Sequence, residues 1–401
     1  MNNLPKGFFA NGLHCGIKKN GKKDLSIFYS GKPCVASGVF TKNIFKAAPV
    51  IVSQKNIKNK IHAIVANSGC ANACTGKRGI DDAKKICELT AAQLNVKPEN
   101  ILVASTGVIG QYLPMEKIKT GIKKLVSQFH NSRILEFRKS GIEQSAVEGI
   151  MTTDTFPKIA FSTCHLPSAI CHIWACAKGS GMIEPNLATM LSFILTDAQI
   201  TKDALNRALK IATEKSFNCL TIDGDTSTND TVFALANGAA KNKLISDGKN
   251  FQLFCAQLTA VCIELTKMLA RDGEGATKLI TVNVRGTKNI TDAKKIAKTI
   301  ANSPLVKTAI FGNDANWGRI IAAIGRSGIK VNADRTDILF GNIYVFKNGS
   351  PVSFSEKKVK NIIMKKEISI NVNLKKGKKS VTIFTCDLTD KYVKINACYR
   401  T

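Results

Sequence analysis

Apolar positions along the chain switch repeatedly between helical and extended spacing, which predicts a mixed α/β architecture without an internal repeat. Residues 81–94 (DDAKKICELTAAQL) open on two aspartates and place apolar residues at Ala83, Ile86, Cys87 and Leu94, so a helix is expected. Leu113-Pro114 followed by Ile118, Ile122, Leu125 and Val126 predicts a second helix, with proline near its first turn. MLSFILT (190–196) reads as a short strand, and Thr201–Ala212, apolar at Ala204, Leu205, Ala208, Leu209 and Ala212, as the helix after it. A longer helix is expected over Phe251–Leu269, then a glycine-rich break, RDGEGATK, and a strand at Leu279–Val284. The last third ends on three segments that read as strands, ISINVNL, VTIFT and YVKIN. A boundary near residue 285 would set off a smaller C-terminal unit.

With 401 residues and 44% hydrophobic content the chain exceeds one small core, so two or three packed units are expected. No run reaches the roughly 18 consecutive apolar residues of a membrane span. The N-terminal MNNLPKGFFANGLHCGIKKNGKKD lacks a secretory core, so a cytoplasmic address is expected. The net charge of +29 invites a nucleic-acid reading, yet lysine dominates and the basic runs (KKNGKKD, KNIKNK, LKKGKK) lack interleaved aromatics and arginine forks. Solvated loops, or a general attraction to acidic partners, explain them better. The 13 cysteines form no C-x-x-C pair, which argues against a disulfide framework or zinc ribbon. Cys164-His165 and Cys171-His172 carry zinc-ligand chemistry, but their spacing fits no structural zinc pattern, and no metal site is expected.

Chemistry concentrates in five polar loops that follow apolar runs: ANSGCANACTG (66–76), ASTGVIG (104–110), TIDGDTSTND (221–230), GEGATK (273–278) and GNDANWGRI (312–320). Each alone is an ordinary turn composition; together they suggest a shared site. TIDGDTSTND starts like a calcium loop but has Thr228 at its sixth position and Ala234 at its twelfth, where glycine and a bidentate acid are required. KGSGMIE has Glu184 in place of the third glycine of a dinucleotide fingerprint and precedes a strand. Both readings fail. None of the five histidines lies in these loops, so a nucleophile here needs another base. A threonine whose own α-amine is free supplies one, because such an amine titrates near ~7.7 to 8.0.

A threonine acquires that amine only if the bond before it is cut, which its hydroxyl can begin by attacking the preceding carbonyl and shifting the chain from nitrogen to oxygen, after which water releases the new terminus. The step favours a small residue on the acyl side, a tight loop and a rigid strand behind the hydroxyl. In KGSGMIEPNLATMLSFILTDA (178–198), Ala188, the GSGMIEPN loop and MLSFILT supply these around Thr189. Read alone, the Ala-Thr pair is equally an ordinary strand start.

That segment closely resembles the self-cleavage segment of the ornithine acetyltransferase (glutamate N-acetyltransferase) family of arginine biosynthesis. GFFANGLHCGIKKNGKKDL, ANSGCANACTG, STGVIG, IMTTDTFPK, SFNCLTIDGDTSTND, DGEGATK, GNDANWGRI and INACYRT resemble its other signature segments, in the family's order along the whole chain. The opening segment starts within the first ten residues, so no organelle presequence is expected. The resemblance implies a mixed α/β (α+β) fold with a layered helix-sheet-sheet-helix core and a smaller C-terminal α/β unit from about 285 to 401. It also implies self-cleavage between Ala188 and Thr189 into an α chain (1–188) and a β chain (189–401), assembled as an α2β2 heterotetramer.

Thr189 is then the nucleophile that takes the acetyl group of N2-acetylornithine and passes it to glutamate, without a cofactor, and with acetyl-CoA left open as a second donor. By position, Thr106 and Gly107 match the oxyanion-hole pair, and Thr152, Lys178, Thr189, Glu274, Asn396 and Thr401 the substrate contacts. A cation such as Lys178 suits a substrate carboxylate, and Glu274 suits an ammonium. Cys70, Asn313, Ala315 and Cys398 depart from the family pattern, and the added thiols raise the expectation of oxidation sensitivity. A self-processed aminopeptidase or amidase of similar architecture, with water as acceptor, is the nearer alternative; a basic RNA- or membrane-surface-binding protein is the remote one.

Overall fold

The computed structural model describes residues 4–131, 142–184 and 190–398. The chain divides into two compact units, one of residues 1–179, 185–218 and 226–265, the other of 180–184, 219–225 and 266–401.

The first unit holds strands β1 (Phe8–Leu13), β2 (Leu25–Phe40), β3 (Ile61–Cys70), β4 (Ile101–Val108), β5 (Lys158–Leu166), β6 (Ala169–Lys178), β7 (Leu191–Thr196) and β8 (Thr231–Ala236). Its helices are α1 (Ala48–Asn56), α2 (Gly76–Leu94), α3 (Met115–Asn131), α4 (Ile142–Glu148), α5 (Lys202–Lys215) and most of α6 (Gly248–Arg271). Hydrogen-bonded order is β4-β3-β2-β8-β7-β6-β5, with β1 also on β2. The 16-residue β2 serves two sheets: Leu25–Tyr29 pair with β3, and Val35–Phe40 pair with β8. Between them the register breaks at exposed Gly31, Lys32 and Pro33, where proline offers no N–H to a ladder and the strand turns.

The two sheets stack face to face. Side-chain alternation sends Phe8, Phe28, Ile64, Ala66, Leu102 and Ala104 from one sheet against Trp174, Leu191, Phe193, Phe233 and Leu235 of the other. Phe28 lies edge-on to Phe193, ring centroids 5.0 Å apart. The alternate residues Leu25, Ile27, Ala63, Val65, Ile101 and Val103 pack outward on α1, α2 and α3. On the far side α5 packs on β2, and Gln257 of α6 accepts from Ser162 of β5 at 2.6 Å. The expected helix-sheet-sheet-helix layering is thus present in this unit.

The second unit holds strands β9 (Leu279–Thr287), β10 (Asp337–Phe340), β11 (Ile343–Lys347), β12 (Ser350–Pro351), β13 (Glu367–Asn373) and β14 (Lys379–Cys386) in the order β12-β11-β10-β13-β9-β14. Helices α7 (Ile290–Ala301), α8 (Pro304–Phe311), α9 (Trp317–Gly325), α10 (Glu356–Ile363) and α11 (Asp390–Ala397) complete it. α7 buries Ala293, Ile296, Ala297 and Ile300 and packs on β9 and β14.

The helices and strands expected at 81–94, 113–126, 190–196, 201–212, 251–269, 279–284, 368–374 and 381–385 are all present, several with longer ends. Thr201 caps α5 by accepting from Ala204 N, as its position predicts. Two expectations need correction. YVKIN belongs to α11, because Thr389 caps that segment by accepting from Lys391 N and its apolar residues Val393 and Ile395 find no strand partner. The boundary near 285 falls inside β9; the second unit takes up the chain at Thr266, within α6. Among the described residues, α6 alone is long and apolar enough to cross a membrane, but Phe254, Leu258, Val261, Cys262, Leu265 and Leu269 are buried in the fold.

Candidate active site

In the first unit, β3 and β4 run parallel with Asn67 opposite Ser105, Ser68 opposite Thr106 and Gly69 opposite Gly107. There the register breaks, and Cys70 faces both Thr106 and Val108. Gly107 has φ +132°, and a Cβ on it would overlap Gly69 C and Cys70 N, so only glycine fits this bulge. Thr106 Oγ1 accepts from Lys178 Nζ at 3.1 Å. Lys178 ends β6, directly opposite Leu191, the first residue of β7. The strand that begins two residues after Thr189 therefore holds the lysine that reaches the Thr106 hydroxyl. Accepting from a cation polarises that hydroxyl and makes it a stronger donor.

A buried carboxylate organises the approach to Lys178. Asp154 Oδ1 accepts from Lys158 Nζ and from Gly179 N, both at 2.7 Å, while Oδ2 accepts from Thr152 N at 2.9 Å. Burial alone would push this carboxyl up; Lys158, Lys178 and the Gly179 N–H outweigh it and hold it down to about 2. Lys18 Nζ donates to Met151 O at 2.7 Å and Lys23 O at 2.8 Å. Burial, with Lys178 nearby, lowers its ammonium to about 8 against the pull of Asp24 and Asp154. Asp230, which precedes β8, is buried, and burial pushes its carboxyl far up, beyond what Ser227 and Lys178 recover.

The second unit carries its own polar cluster. Glu274 donates its N–H to Ser180 O at 2.8 Å, packs its carboxyl on Gly181, and accepts from Asn396 Nδ2 at 2.8 Å. Asp223 accepts from the N–H groups of Met182 and Ile183 at 2.6 and 2.8 Å. Glu184 is held by Lys298 at 3.1 Å and Thr221 at 2.8 Å. The chain leading toward Ala188 is thus anchored at 182–184.

Of the residues singled out from sequence, Thr106, Gly107, Thr152 and Lys178 come together in the first unit, and Glu274 and Asn396 in the second. Ala188, Thr189 and Thr401 lie outside the described residues. Asp154, Lys158, Lys18 and Asp223 were missed; a charged pair inside IMTTDTFPK was the one available signal. Cys164 and Cys171 face each other across β5 and β6 on the buried face, while His165 and His172 project from the other, so these four cannot share a metal. Cys70 is buried, donates its thiol to Gln111 O at 3.3 Å, and burial pushes it up, which makes it a poor thiolate and a poor target for oxidation. Asn313 sits at φ +58° and accepts from Lys278 Nζ at 2.6 Å.

A family model described as the ArgJ family matches residues 9–401. The chain belongs to the ArgJ family. It is 48% identical over 399 residues to "Arginine biosynthesis bifunctional protein ArgJ 1" of Clostridium acetobutylicum, covering 98% of this chain and 96% of that one. It is 46% identical over 401 residues to the bifunctional ArgJ protein of Symbiobacterium thermophilum, covering 99% and 98%. A crystal structure of the ArgJ protein of Bacillus halodurans matches at 47% identity with a TM-score of 0.51, covering 52% of this chain and 99% of that chain.

Proposed function

We propose that this ArgJ-family chain transfers the acetyl group of N2-acetyl-L-ornithine to L-glutamate through an acetyl-threonine intermediate. The observation that carries the reading is the Lys178 bridge, its backbone opposite the first residue of β7 and its ammonium on Thr106. In this reading the chain first splits between Ala188 and Thr189. The new α-amine of Thr189 then takes the proton of its own hydroxyl as Oγ attacks the acetyl carbonyl. The Thr106 hydroxyl and Gly107 N–H receive the developing oxyanion. Collapse expels the ornithine amine, which recovers the proton, and leaves the acetyl ester; the glutamate amine then attacks that ester, the ester C–O bond breaks as the amine's proton passes by way of the Thr189 α-amine to Oγ, and N-acetylglutamate departs.

Thr152 is held by its N–H on Asp154, and Glu274, with Asn396, suits a substrate ammonium. Thr401 is assigned to substrate binding on family position alone. The relatives' name, bifunctional, supports a second activity, for which the family resemblance offers acetyl-CoA as a second acetyl donor to glutamate. The Bacillus halodurans chain, about half as long as this one, is what a split near the middle would leave; assembly of the two fragments as α2β2 is assigned on the family resemblance alone. Thirteen cysteines without a C-x-x-C pair suit a reducing compartment, and we place the enzyme in the cytoplasm.

The test is the denatured mass of wild type beside Thr189→Ala, followed by turnover of acetylornithine with and without glutamate. Two fragments in the wild type, one chain in the variant, and glutamate-dependent turnover are expected. An intact wild-type chain leaves Thr189 without a base and sinks the mechanism. Turnover indifferent to glutamate would favour an amidase.

A further inference from the structure

The segment TIDGDTSTND contains a side chain that the reaction above does not use. Asn229, 6% exposed, lies two residues before β8 and reaches across to the other sheet. Its Nδ2 donates to Ala71 O at 2.6 Å and to Ser105 O at 2.8 Å, and its Oδ1 accepts from Thr228 Oγ1 at 2.6 Å. Two carbonyl acceptors on one side fix the amide's orientation, since only the nitrogen can donate to both.

The two carbonyls flank the bulge that carries the candidate oxyanion pair. Ser105 O belongs to the peptide group that bears the Thr106 nitrogen. Ala71 follows Cys70 and donates its N–H to Val108 O at 3.0 Å, just beyond Gly107. A second bracket lies behind: Ser105 Oγ donates to Asn67 Oδ1 at 2.6 Å, and Asn67 Nδ2 to Cys70 O at 2.9 Å. At its other end Asn229 is tied to the strand that follows the cleavage junction, because Thr231 N donates to Met190 O at 2.9 Å and Thr231 pairs with Leu191. One buried amide therefore spans the gap between the strand carrying Thr106 and Gly107 and the pair of strands that starts just after Thr189.

We propose that Asn229 is a positioning residue that holds the strand carrying the oxyanion pair, Thr106 and Gly107, against β7 and β8. The role rests on the acyl-transfer reading. Oxyanion donors act over a few tenths of an ångström at the moment charge develops, so a brace of this kind is felt in the chemical step more than in substrate binding. Removing it also takes a side-chain donor from two carbonyls, which lowers stability.

The experiment compares full-length wild type, Asn229→Ala, Thr228→Val, Thr106→Ala and the Asn229→Ala/Thr106→Ala double variant. Splitting is read by denatured mass, fold by thermal unfolding, and acetyl transfer from acetylornithine to glutamate by kcat and KM. A roughly 10- to 100-fold fall in kcat for Asn229→Ala, with KM for both substrates near wild type, is expected. Thr228→Val, which removes only the bond that steadies the amide, shows a smaller loss in the same direction. The double variant loses less than the product of the single losses, because both act on one oxyanion. A folded but unsplit Asn229→Ala also supports the role, since self-cleavage passes through an oxyanion of its own. Wild-type kcat in a folded, split Asn229→Ala overturns it, as does a double variant whose losses multiply. If Asn229→Ala does not fold, wild-type kcat in Thr228→Val overturns it. A wild type without acetyl transfer overturns the acyl-transfer reading and this role together, whereas an active wild type with indifferent variants overturns the role alone.

Discussion

Lys178 Nζ lies 3.1 Å from Thr106 Oγ1, while the Lys178 backbone pairs with Leu191 at the start of β7. In the proposed mechanism this contact lets the lysine support the Thr106 hydroxyl as charge develops, where charge alone pointed to a substrate carboxylate.

Lys178→Met should therefore reduce kcat for acetyl transfer by roughly 100-fold, in the range seen when one oxyanion donor is lost. A change confined to KM for one substrate would return Lys178 to carboxylate binding. Steady-state kinetics with each substrate varied in turn decide between the two.

Asp154 and Lys158 form an ion pair with no side-chain exposure, so breaking it by Asp154→Asn should cost about 3–5 kcal/mol of stability, read by urea unfolding at neutral pH. The sign with pH follows from the depressed carboxyl. Its contribution is fully present above the unfolded value near ~3.9 and is lost as pH falls through the folded value of about 2. The stability gap between wild type and variant should hold down to about pH 4 and close below it.

Lys18 gives the opposite dependence. Its ammonium is lowered to about 8, so between there and the ordinary lysine value near ~10.4 the unfolded chain binds the extra proton. Its drag on stability is full below about pH 8 and is relieved as pH rises above it. Lys18→Met should lack this rise, so the wild-type-minus-variant difference in Tm should climb between about pH 8 and 10.

Gly107→Ala meets both a left-handed backbone and the neighbouring Gly69–Cys70 peptide. The strain should cost about 1–3 kcal/mol and displace the oxyanion N–H, so kcat should fall even where the variant folds. Wild-type kcat in a folded Gly107→Ala would remove Gly107 from the oxyanion pair.

Glu274 is 8% exposed and its carboxyl is bonded by Asn396. Glu274→Gln should raise KM for the substrate whose ammonium it receives by about tenfold, the worth of one charge-assisted hydrogen bond, with a smaller effect on kcat. An equal fall in kcat and kcat/KM would instead place Glu274 in the chemical step.

Local patterns in the chain determined most of the elements and the bounds of the signature segments. Apolar spacing placed α2, α3, α5, α6, β7, β9, β13 and β14, because each buries one face against a layer and the period of that face is written in the residues. The same reasoning misplaced YVKIN, where a capping threonine outweighs a short apolar alternation. The resemblance of STGVIG and KGSGMIEPNLATMLS to a known family supplied Thr106, Gly107, Lys178 and Thr189 as candidates. What only the tertiary structure decided is who serves them. Asp154 and Lys158 pair out of reach of water, Asn229 joins Ala71 and Ser105 across 158 and 124 residues of chain, and Gly107 is fixed by the backbone of Gly69 and Cys70. The Asn229 bonds and the Gly107 contact join groups far apart in sequence, and the burial that seals the Asp154–Lys158 pair comes from the rest of the fold, so local pattern alone does not announce them.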